Sequence, residues 1–140
     1  MQVVIIYESL TGNTERAARL IADAFYDRQV PSKIYPVGGF DPVAIAEADL
    51  VIAGSWTDGL FVIGQKPAKG KKFSKLPDLT GKRCVVFCTY ALDPGKTLAK
   101  FSAVLAERGA DVLGGMAIRR NQLADGADEF VDRVMQLTSA

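Results

Sequence analysis

The chain has 140 residues, of which 49% are hydrophobic and 24% charged, so it can build one compact core and is not a disordered chain. Seventeen Lys and Arg residues face sixteen Asp and Glu residues, and this net charge of +1 argues against a nucleic-acid-binding protein. The sequence has no histidine, which removes the commonest general base and metal ligand and every Ser-His or Cys-His catalytic arrangement. We therefore expect no catalytic side chain and no metal site, and a bound cofactor that supplies any chemistry.

The two cysteines and the hydropathy pattern favour a cytoplasmic protein. Cys84 and Cys88 lie in an apolar run that predicts a strand, which would place them roughly 13 Å apart, too far for a disulfide. No apolar stretch approaches the roughly 18 residues of a membrane span, and the sequence does not open with a signal-peptide pattern. We expect a single domain over residues 1–140, without a membrane span.

Apolar runs alternate with amphipathic segments along the chain. The β-branched run 3–7 predicts a buried strand, and apolar side chains at i, i+4, i+7 and i+8 from Ala17 predict a helix that Pro31 ends. Further strands are predicted at 33–37, 50–53, 82–89 and 111–118, and helices at 42–47, 96–108 and 124–137. Asp41 and Gly109 are predicted helix caps, and the last helix is predicted to carry its apolar side chains, Leu137 included, on one face. This order predicts an α/β fold, a three-layer sandwich with a five-stranded parallel sheet, whose ligands bind beyond the carboxyl ends of the strands.

The segment after the first strand is the most specific feature of the sequence. Ser9, Thr11 and Thr14 supply hydroxyl groups, and Gly12 and Asn13 are residue types that adopt a positive φ in a tight turn. Such a turn presents backbone N–H groups and a helix N-terminus to an anion. The segment has neither a Walker lysine nor a Gly-x-Gly-x-x-Gly motif, so a monophosphate fits better than a triphosphate or a dinucleotide. A simple helix cap is the alternative.

The run Ser9-Leu10-Thr11-Gly12-Asn13-Thr14-Glu15, placed directly after an opening strand, resembles the phosphate loop of flavodoxins, (S/T)-x-T-G-N-T. The resemblance extends in element order over nearly the whole chain. It implies a flavodoxin-like strand order 2-1-3-4-5, a short-chain flavodoxin and FMN as the cofactor. It further implies phosphate contacts from Ser9, Thr11, Asn13 and Thr14, with backbone help from Leu10 and Gly12.

The segment after the third strand carries the only tryptophan, Trp56. An indole at this edge of the sheet is an apolar plate suited to stacking on a flat ring, and the corresponding loop of flavodoxins carries an aromatic residue over one flavin face. Asp58-Gly59 resembles the acidic-glycine pair of flavodoxins. The peptide group of that pair forms a hydrogen bond with N5 of the reduced flavin ring. A core or loop-anchoring role is the alternative for Trp56. The predicted cofactor contacts here are Ser55, Trp56, Thr57, Asp58 and Gly59.

The segment after the fourth strand matches the position of the flavodoxin loop that holds the other flavin face. Tyr90 is predicted to stack on the ring, and Thr89 or the backbone near Ala91 and Leu92 to bond its polar edge. A core position with the hydroxyl at the rim is the alternative for Tyr90.

Charge separates this chain from typical flavodoxins, which are acidic around the flavin. The segment after Trp56 carries five lysines and, beyond Asp58, no acidic residue. These are Lys66, Lys69, Lys71, Lys72 and Lys75. A solvated loop is one interpretation. Beside a flavin, the lysines would stabilise the anionic reduced ring and attract an acidic or phosphate-bearing partner. Arg119-Arg120 is a second, smaller basic spot to which we assign no role.

The resemblance implies an FMN-binding electron-transfer protein that passes single electrons from a flavodoxin reductase-type donor to a redox acceptor. It implies a monomer or weak dimer whose partners are redox proteins. The alternative is an FMN-dependent NAD(P)H oxidoreductase that reduces flavins or quinones. A receiver domain has the same strand order but needs an acidic cluster after strand one and an aspartate after strand three, where this chain has Glu8 and Ala53-Gly54-Ser55. A fold relative that has lost flavin and serves as an interaction module also stays open.

Overall fold

The computed structural model describes residues 1–9, 12–57, 73 and 75–139. Five parallel strands form one sheet in the order β2-β1-β3-β4-β5, as predicted. In chain order the elements are β1 Val3–Tyr7, α1 Asn13–Asp27, β2 Ser32–Pro36, α2 Pro42–Glu47, β3 Leu50–Trp56, β4 Arg83–Tyr90, α3 Thr97–Ala106, β5 Asp111–Arg119 and α4 Leu123–Thr138.

Each face of the sheet has its own hydrophobic core. Helices α1 and α4 cover one face, where Phe25 and Phe130 are buried, and α2 and α3 cover the other, where Ile45 and Phe101 are buried. Because helices cover both faces, the central strands are apolar at consecutive positions rather than at alternating ones. Every residue of β1 is buried, and in β3 only the last residue is not.

Asp41 caps α2 as predicted, whereas α3 ends at Ala106, two residues before the predicted end, and Gly109 lies in the turn that follows. At the start of α2 the Asp41 carboxylate accepts a hydrogen bond from the Val43 N–H at 3.0 Å, and Pro42 occupies the first helical position. After α3, Gly109 has a φ of 90°, a left-handed conformation that ends a helix without strain in glycine.

The third strand is longer than predicted. Its parallel pairing with β4 continues past Ala53, with Ser55 opposite Cys88 and Trp56 opposite Thr89. Ser55 and Trp56 therefore belong to the end of a strand rather than to a loop. Strand pairing fixes their backbone, which makes them rigid supports for a site at the edge of the sheet.

Leu137 lies on the side of α4 that faces β5, together with Phe130 and Val134, but its side chain is 52% exposed. The last turn of α4 lies over β5 where Gly114 has no side chain, and Leu137 Cδ1 therefore lacks the van der Waals contact that a Cβ would make with it at 3.9 Å. The sheet thus offers Leu137 little surface to pack against. None of the helices in the described part of the chain combines the length and the apolar character needed to cross a membrane.

Candidate cofactor site

Hydrogen bonds connect the ends of β1, β3 and β4 at the carboxyl edge of the sheet. The Glu8 N–H donates to the Gly54 carbonyl at 2.9 Å, and the Thr57 N–H donates to the Thr89 carbonyl at 2.9 Å. The three segments predicted to hold a cofactor are therefore neighbours in the fold. Four of the predicted contact residues lie outside the described residues, namely Leu10, Thr11, Asp58 and Gly59.

Ser9 and Gly12, between β1 and α1, are joined by a hydrogen bond just before the helix begins. Gly12 has a φ of 97°, and Ser9 Oγ accepts a hydrogen bond from its N–H at 3.0 Å. The Gly12 carbonyl accepts from the Arg16 N–H at 2.9 Å, which begins the helix. Among the described residues no side chain caps α1. Its positive dipole end, next to the half-buried Asn13, is thus suited to an anionic ligand.

A buried pair of hydroxyl groups connects α1 to β4. Thr14 Oγ1 lies 2.9 Å from Thr89 Oγ1, and each residue is 1% exposed. Thr89 was predicted to bond the polar edge of a ring, but its hydroxyl is directed at Thr14, on the α1 face of the sheet. Thr89 is thus placed to support a ligand at the N-terminus of α1.

Trp56 carries a hydrogen-bond donor without an acceptor. Its side chain is half-buried, and within the described residues its buried Nε1 has no hydrogen-bond partner. A buried polar group left unsatisfied costs roughly 1–3 kcal/mol. Trp56 is in register with Thr89 in the adjacent strand, and registered residues of neighbouring parallel strands share a face of the sheet. The indole N–H is thus on the same face as Thr14, where a phosphate at the start of α1 would supply an acceptor.

Ser55 and Thr57, on either side of Trp56, turn their side chains into the protein. They are 0% and 8% exposed, and the Thr57 hydroxyl donates to Cys88 Sγ at 3.8 Å. Strand alternation explains this arrangement, since residues adjacent to Trp56 point to the opposite face. A ring bound at this edge would meet their backbone rather than their side chains.

The end of β4 has an aromatic side chain with a cation on its ring. Tyr90 is half-buried, and the guanidinium carbon of Arg119 lies 5.6 Å from its ring centroid. Ala91 is half-buried and Leu92 is 69% exposed. The sequence analysis assigned no role to Arg119, which the pairing of β4 with β5 places opposite Tyr90. Of the five lysines singled out above, only the exposed Lys75 lies within the described residues.

The two thiols are free and buried, in agreement with the prediction that they form no disulfide. Burial raises the pKa of Cys84 to about 12 and that of Cys88 to about 11, so both stay protonated at neutral pH. In the described part of the chain, no group of three or more His, Cys, Asp or Glu residues could hold a metal ion.

A parallel sheet in the order 2-1-3-4-5, with helices on both faces, defines a flavodoxin-like fold. The family model of the flavodoxin domain matches residues 4–118, and the chain belongs to the flavodoxin family. Membership in this family implies a flavin cofactor and a role in electron transfer.

Solved structures share this fold. Oxidised flavodoxin 1 from Bacillus cereus has 23% identity and a TM-score of 0.75, with 99% of this chain and 100% of that chain covered. Two-electron reduced Megasphaera elsdenii flavodoxin has 22% identity and a TM-score of 0.72, with 91% and 98% covered. Rubredoxin oxygen:oxidoreductase from Desulfovibrio gigas has 20% identity and a TM-score of 0.68, and the match covers 99% of this chain but 37% of that one. In a sequence comparison, no curated protein matches the chain.

Proposed function

We propose that the chain binds FMN at the ends of β1, β3 and β4 and carries electrons between a flavodoxin reductase-type donor and a redox acceptor. The observation that carries this proposal is the buried indole N–H of Trp56, which lacks an acceptor in the described part of the chain on the face where α1 begins without a side-chain cap. A phosphate at the start of α1 supplies the acceptor and the negative charge that this arrangement lacks.

The phosphate contacts that we propose come from the turn and from hydroxyl groups beside it. In this proposal the start of α1, with Gly12 and Asn13, lies next to the phosphate. Ser9, Leu10 and Thr11 contact the phosphate as well. A hydroxyl has one hydrogen and two acceptor positions. When Thr89 donates to Thr14 across their 2.9 Å contact, the Thr14 hydrogen is available to a phosphate oxygen. Hydrogen bonds to charged groups contribute roughly 1.5–3 kcal/mol each, so few cationic side chains are needed.

The flavin ring, when bound, supplies the one-electron redox chemistry, and the chain orients it. We place the indole of Trp56 against one side of the ring and Tyr90 against the other. The backbone of Ser55, Thr57, Asp58 and Gly59 and of Ala91 and Leu92 then meets the ring edges. Aromatic contact of this kind excludes water and contributes roughly 0.5–1.5 kcal/mol beyond the buried area.

The proposed role as an electron carrier also concerns the proteins that exchange electrons with this chain. Because no histidine is present to act as a general base, single-electron transfer to and from a protein partner suits this chain better than proton-coupled chemistry on a substrate. The five lysines from Lys66 to Lys75 fit an acceptor with an acidic surface. We further propose a single domain over residues 1–140, a cytoplasmic location and a monomer or weak dimer.

The visible spectrum of the purified protein, recorded before and after addition of FMN, tests the cofactor. We expect a flavin spectrum and submicromolar binding, with riboflavin bound at least tenfold more weakly because it lacks the phosphate. A colourless protein that does not take up FMN contradicts the proposal.

The rate of NAD(P)H oxidation then distinguishes a carrier from an enzyme. A carrier oxidises NAD(P)H slowly by itself and is reduced quickly when a flavodoxin reductase is added. Rapid turnover of NAD(P)H with a quinone and no added reductase would instead identify an FMN-dependent NAD(P)H oxidoreductase.

A further inference from the structure

Arg119 and Tyr90 form a contact at the edge of the sheet where the flavin is proposed to bind. They are the last residues of β5 and β4 and lie opposite each other in the strand pairing. The guanidinium carbon of Arg119 lies 5.6 Å from the centroid of the Tyr90 ring, within the roughly 6 Å range of a cation–π contact. Strand pairing fixes the backbone of both residues, and the contact with the Tyr90 ring holds the exposed Arg119 side chain beside it.

No carboxylate in the described part of the chain forms an ion pair with Arg119. Within the described residues, the guanidinium of Arg28 pairs with two aspartates, at 3.0 Å and 2.6 Å, and that of Arg133 pairs with Glu129 at 2.6 Å. Arg119 makes no ion pair with a described carboxylate and has the Tyr90 ring as its contact. The ring holds the guanidinium but leaves its net positive charge uncompensated, so its field reaches groups on the far side of the ring.

We propose that Arg119, which the Tyr90 ring holds in place, stabilises the reduced, anionic form of the bound flavin through its positive charge. This inference rests on the proposed function, which places Tyr90 against the flavin ring. The second electron, delivered by the reductase-type donor, adds one negative charge to the ring when no proton accompanies it. A fixed cation beside the ring stabilises that charge, and the oxidised ring, which is neutral, gains nothing from it.

The test compares Arg119→Gln with Arg120→Gln, each measured in the FMN-loaded protein by titration of the two one-electron midpoint potentials. Both variants lose one positive charge, and Arg120 is an exposed neighbour that makes no cation–π contact with Tyr90. We expect Arg119→Gln to lower the equilibrium constant for uptake of the second electron about threefold relative to Arg120→Gln, which is about 28 mV at 59 mV per tenfold. The affinity for oxidised FMN is expected to change by less than twofold.

Two further variants separate the charge from the ring contact. Arg119→Lys keeps the charge but not the planar guanidinium. We expect this variant to keep part of the native equilibrium constant's advantage for uptake of the second electron, and to lose it more steeply than the native chain does as salt is raised. In a Tyr90→Leu background the guanidinium loses its support, so Arg119→Gln is expected to have a smaller effect there than in the native chain.

If Arg119→Gln and Arg120→Gln had equal equilibrium constants for uptake of the second electron, this inference would be overturned. FMN binding and the proposed function would stay intact. Failure of the native protein to bind FMN would overturn both. A change in both one-electron steps by the same factor would show a structural effect of the substitution rather than stabilisation of the reduced ring, and it would also count against the inference.

Discussion

Thr14 Oγ1 and Thr89 Oγ1 lie 2.9 Å apart in a buried contact between residues 75 positions apart in the sequence. The contact joins the first turn of α1 to the end of β4, and thus the proposed phosphate position to the proposed ring position. Only one hydrogen lies between the two oxygens, so one hydroxyl keeps its hydrogen for another acceptor. When Thr89 is the donor, Thr14 keeps its hydrogen for the proposed phosphate, so the proposal gives Thr14 a ligand contact and Thr89 the support of Thr14.

Replacing each threonine by valine tests this division. Valine keeps the shape and removes the hydroxyl, so Thr14→Val is expected to weaken FMN binding by roughly ten- to a hundredfold through loss of a hydrogen bond to a charged group. Thr89→Val is expected to weaken it about threefold, because it removes only the support of Thr14. Quenching of FMN fluorescence on titration measures both constants.

Riboflavin is the control ligand for these variants, and Thr138→Val is the control substitution. Riboflavin has no phosphate, so its affinity is expected to change by less than twofold in either threonine variant. Thr138 also has a hydrogen-bonded hydroxyl, which donates to the Val134 carbonyl at 2.9 Å near the end of α4. Equal losses for FMN and riboflavin would show that the phosphate does not lie beside Thr14.

Trp56 is expected to contribute through both its ring and its N–H, and two substitutions separate these contributions. Trp56→Phe keeps an aromatic plate and removes the donor. We expect it to weaken FMN binding about tenfold, through loss of a charge-assisted hydrogen bond, and riboflavin binding by less than twofold. Trp56→Leu also removes the aromatic plate, so it is expected to weaken both ligands by a further three- to tenfold.

Isothermal titration of both ligands measures these effects. If Trp56→Phe weakened FMN and riboflavin equally, the indole N–H would not be bonded to the phosphate. If Trp56→Leu bound riboflavin as tightly as the native chain does, Trp56 would have no stacking role. It would then anchor the strand end, which is the alternative that the sequence left open.

Local patterns in the sequence were sufficient to predict most of the fold. The apolar run of β1 and the Asp41 cap depend on residues close together in the chain, and the structure confirms both. The start of α1 after Gly12 was also visible, because the residue types of a tight turn and a helix start are adjacent. The extent of β3 was not visible, since its continuation to Trp56 depends on pairing with a strand about thirty residues later in the chain.

The contacts between elements could not be read from the sequence for the same reason. The Thr14–Thr89 pair requires α1 to cross the sheet as far as β4, and the Arg119–Tyr90 contact requires the register of β4 against β5. Predicting that strand four lies beside strand five does not specify which side chains meet. A register shift between Cys84 and Val85 makes counting along the strands unreliable here, because it moves every later residue of β5 by one position.

Gly54 tests how tightly the site is packed against the core. A Cβ at this position would lie within 3.0 Å of three ring atoms of Phe87, and the Phe87 ring is itself held edge-to-face against Phe130, with centroids 5.8 Å apart. Gly54→Ala is therefore expected to lower the free energy of unfolding by roughly 1–3 kcal/mol through overpacking. Because Trp56 follows two residues later, weaker FMN binding is expected to accompany this loss.

Gly114→Ala is the matched control for Gly54→Ala, since both glycines lie within strands. A Cβ at Gly114 meets nothing nearer than Leu137 Cδ1 at 3.9 Å, and alanine restricts the unfolded chain more than glycine does. We expect this variant to be unchanged or stabilised by up to about 1 kcal/mol in urea unfolding. Equal destabilisation by both substitutions would show that backbone conformation, and not the Phe87 ring, requires glycine at position 54.

The buried thiols lead to a prediction about reactivity and pH. Burial raises the pKa of Cys88 to about 11, so at pH 8 its thiolate fraction is roughly a hundredfold below that of an ordinary thiol with a pKa of about 9. Cys84, with a pKa of about 12, is less ionised still. A thiol reagent such as dithiobis(nitrobenzoate) is therefore expected to label neither cysteine of the native protein within minutes at pH 8 and both after unfolding in urea.

The same pKa shifts affect stability at high pH. The unfolded thiols ionise near pH 9 while the folded ones stay protonated, so the unfolded state releases protons first and the free energy of unfolding falls as the pH rises from about 9 towards 11 to 12. Burial also raises the pKa of Tyr7, which acts in the same direction. A Cys84→Ala, Cys88→Ala variant keeps the tyrosine contribution and loses the thiol one, so its stability is expected to fall less steeply over this range in urea titrations at pH 8, 9 and 10. Parallel pH profiles for the variant and the native chain would mean that the thiols ionise as readily in the folded state as in the unfolded one.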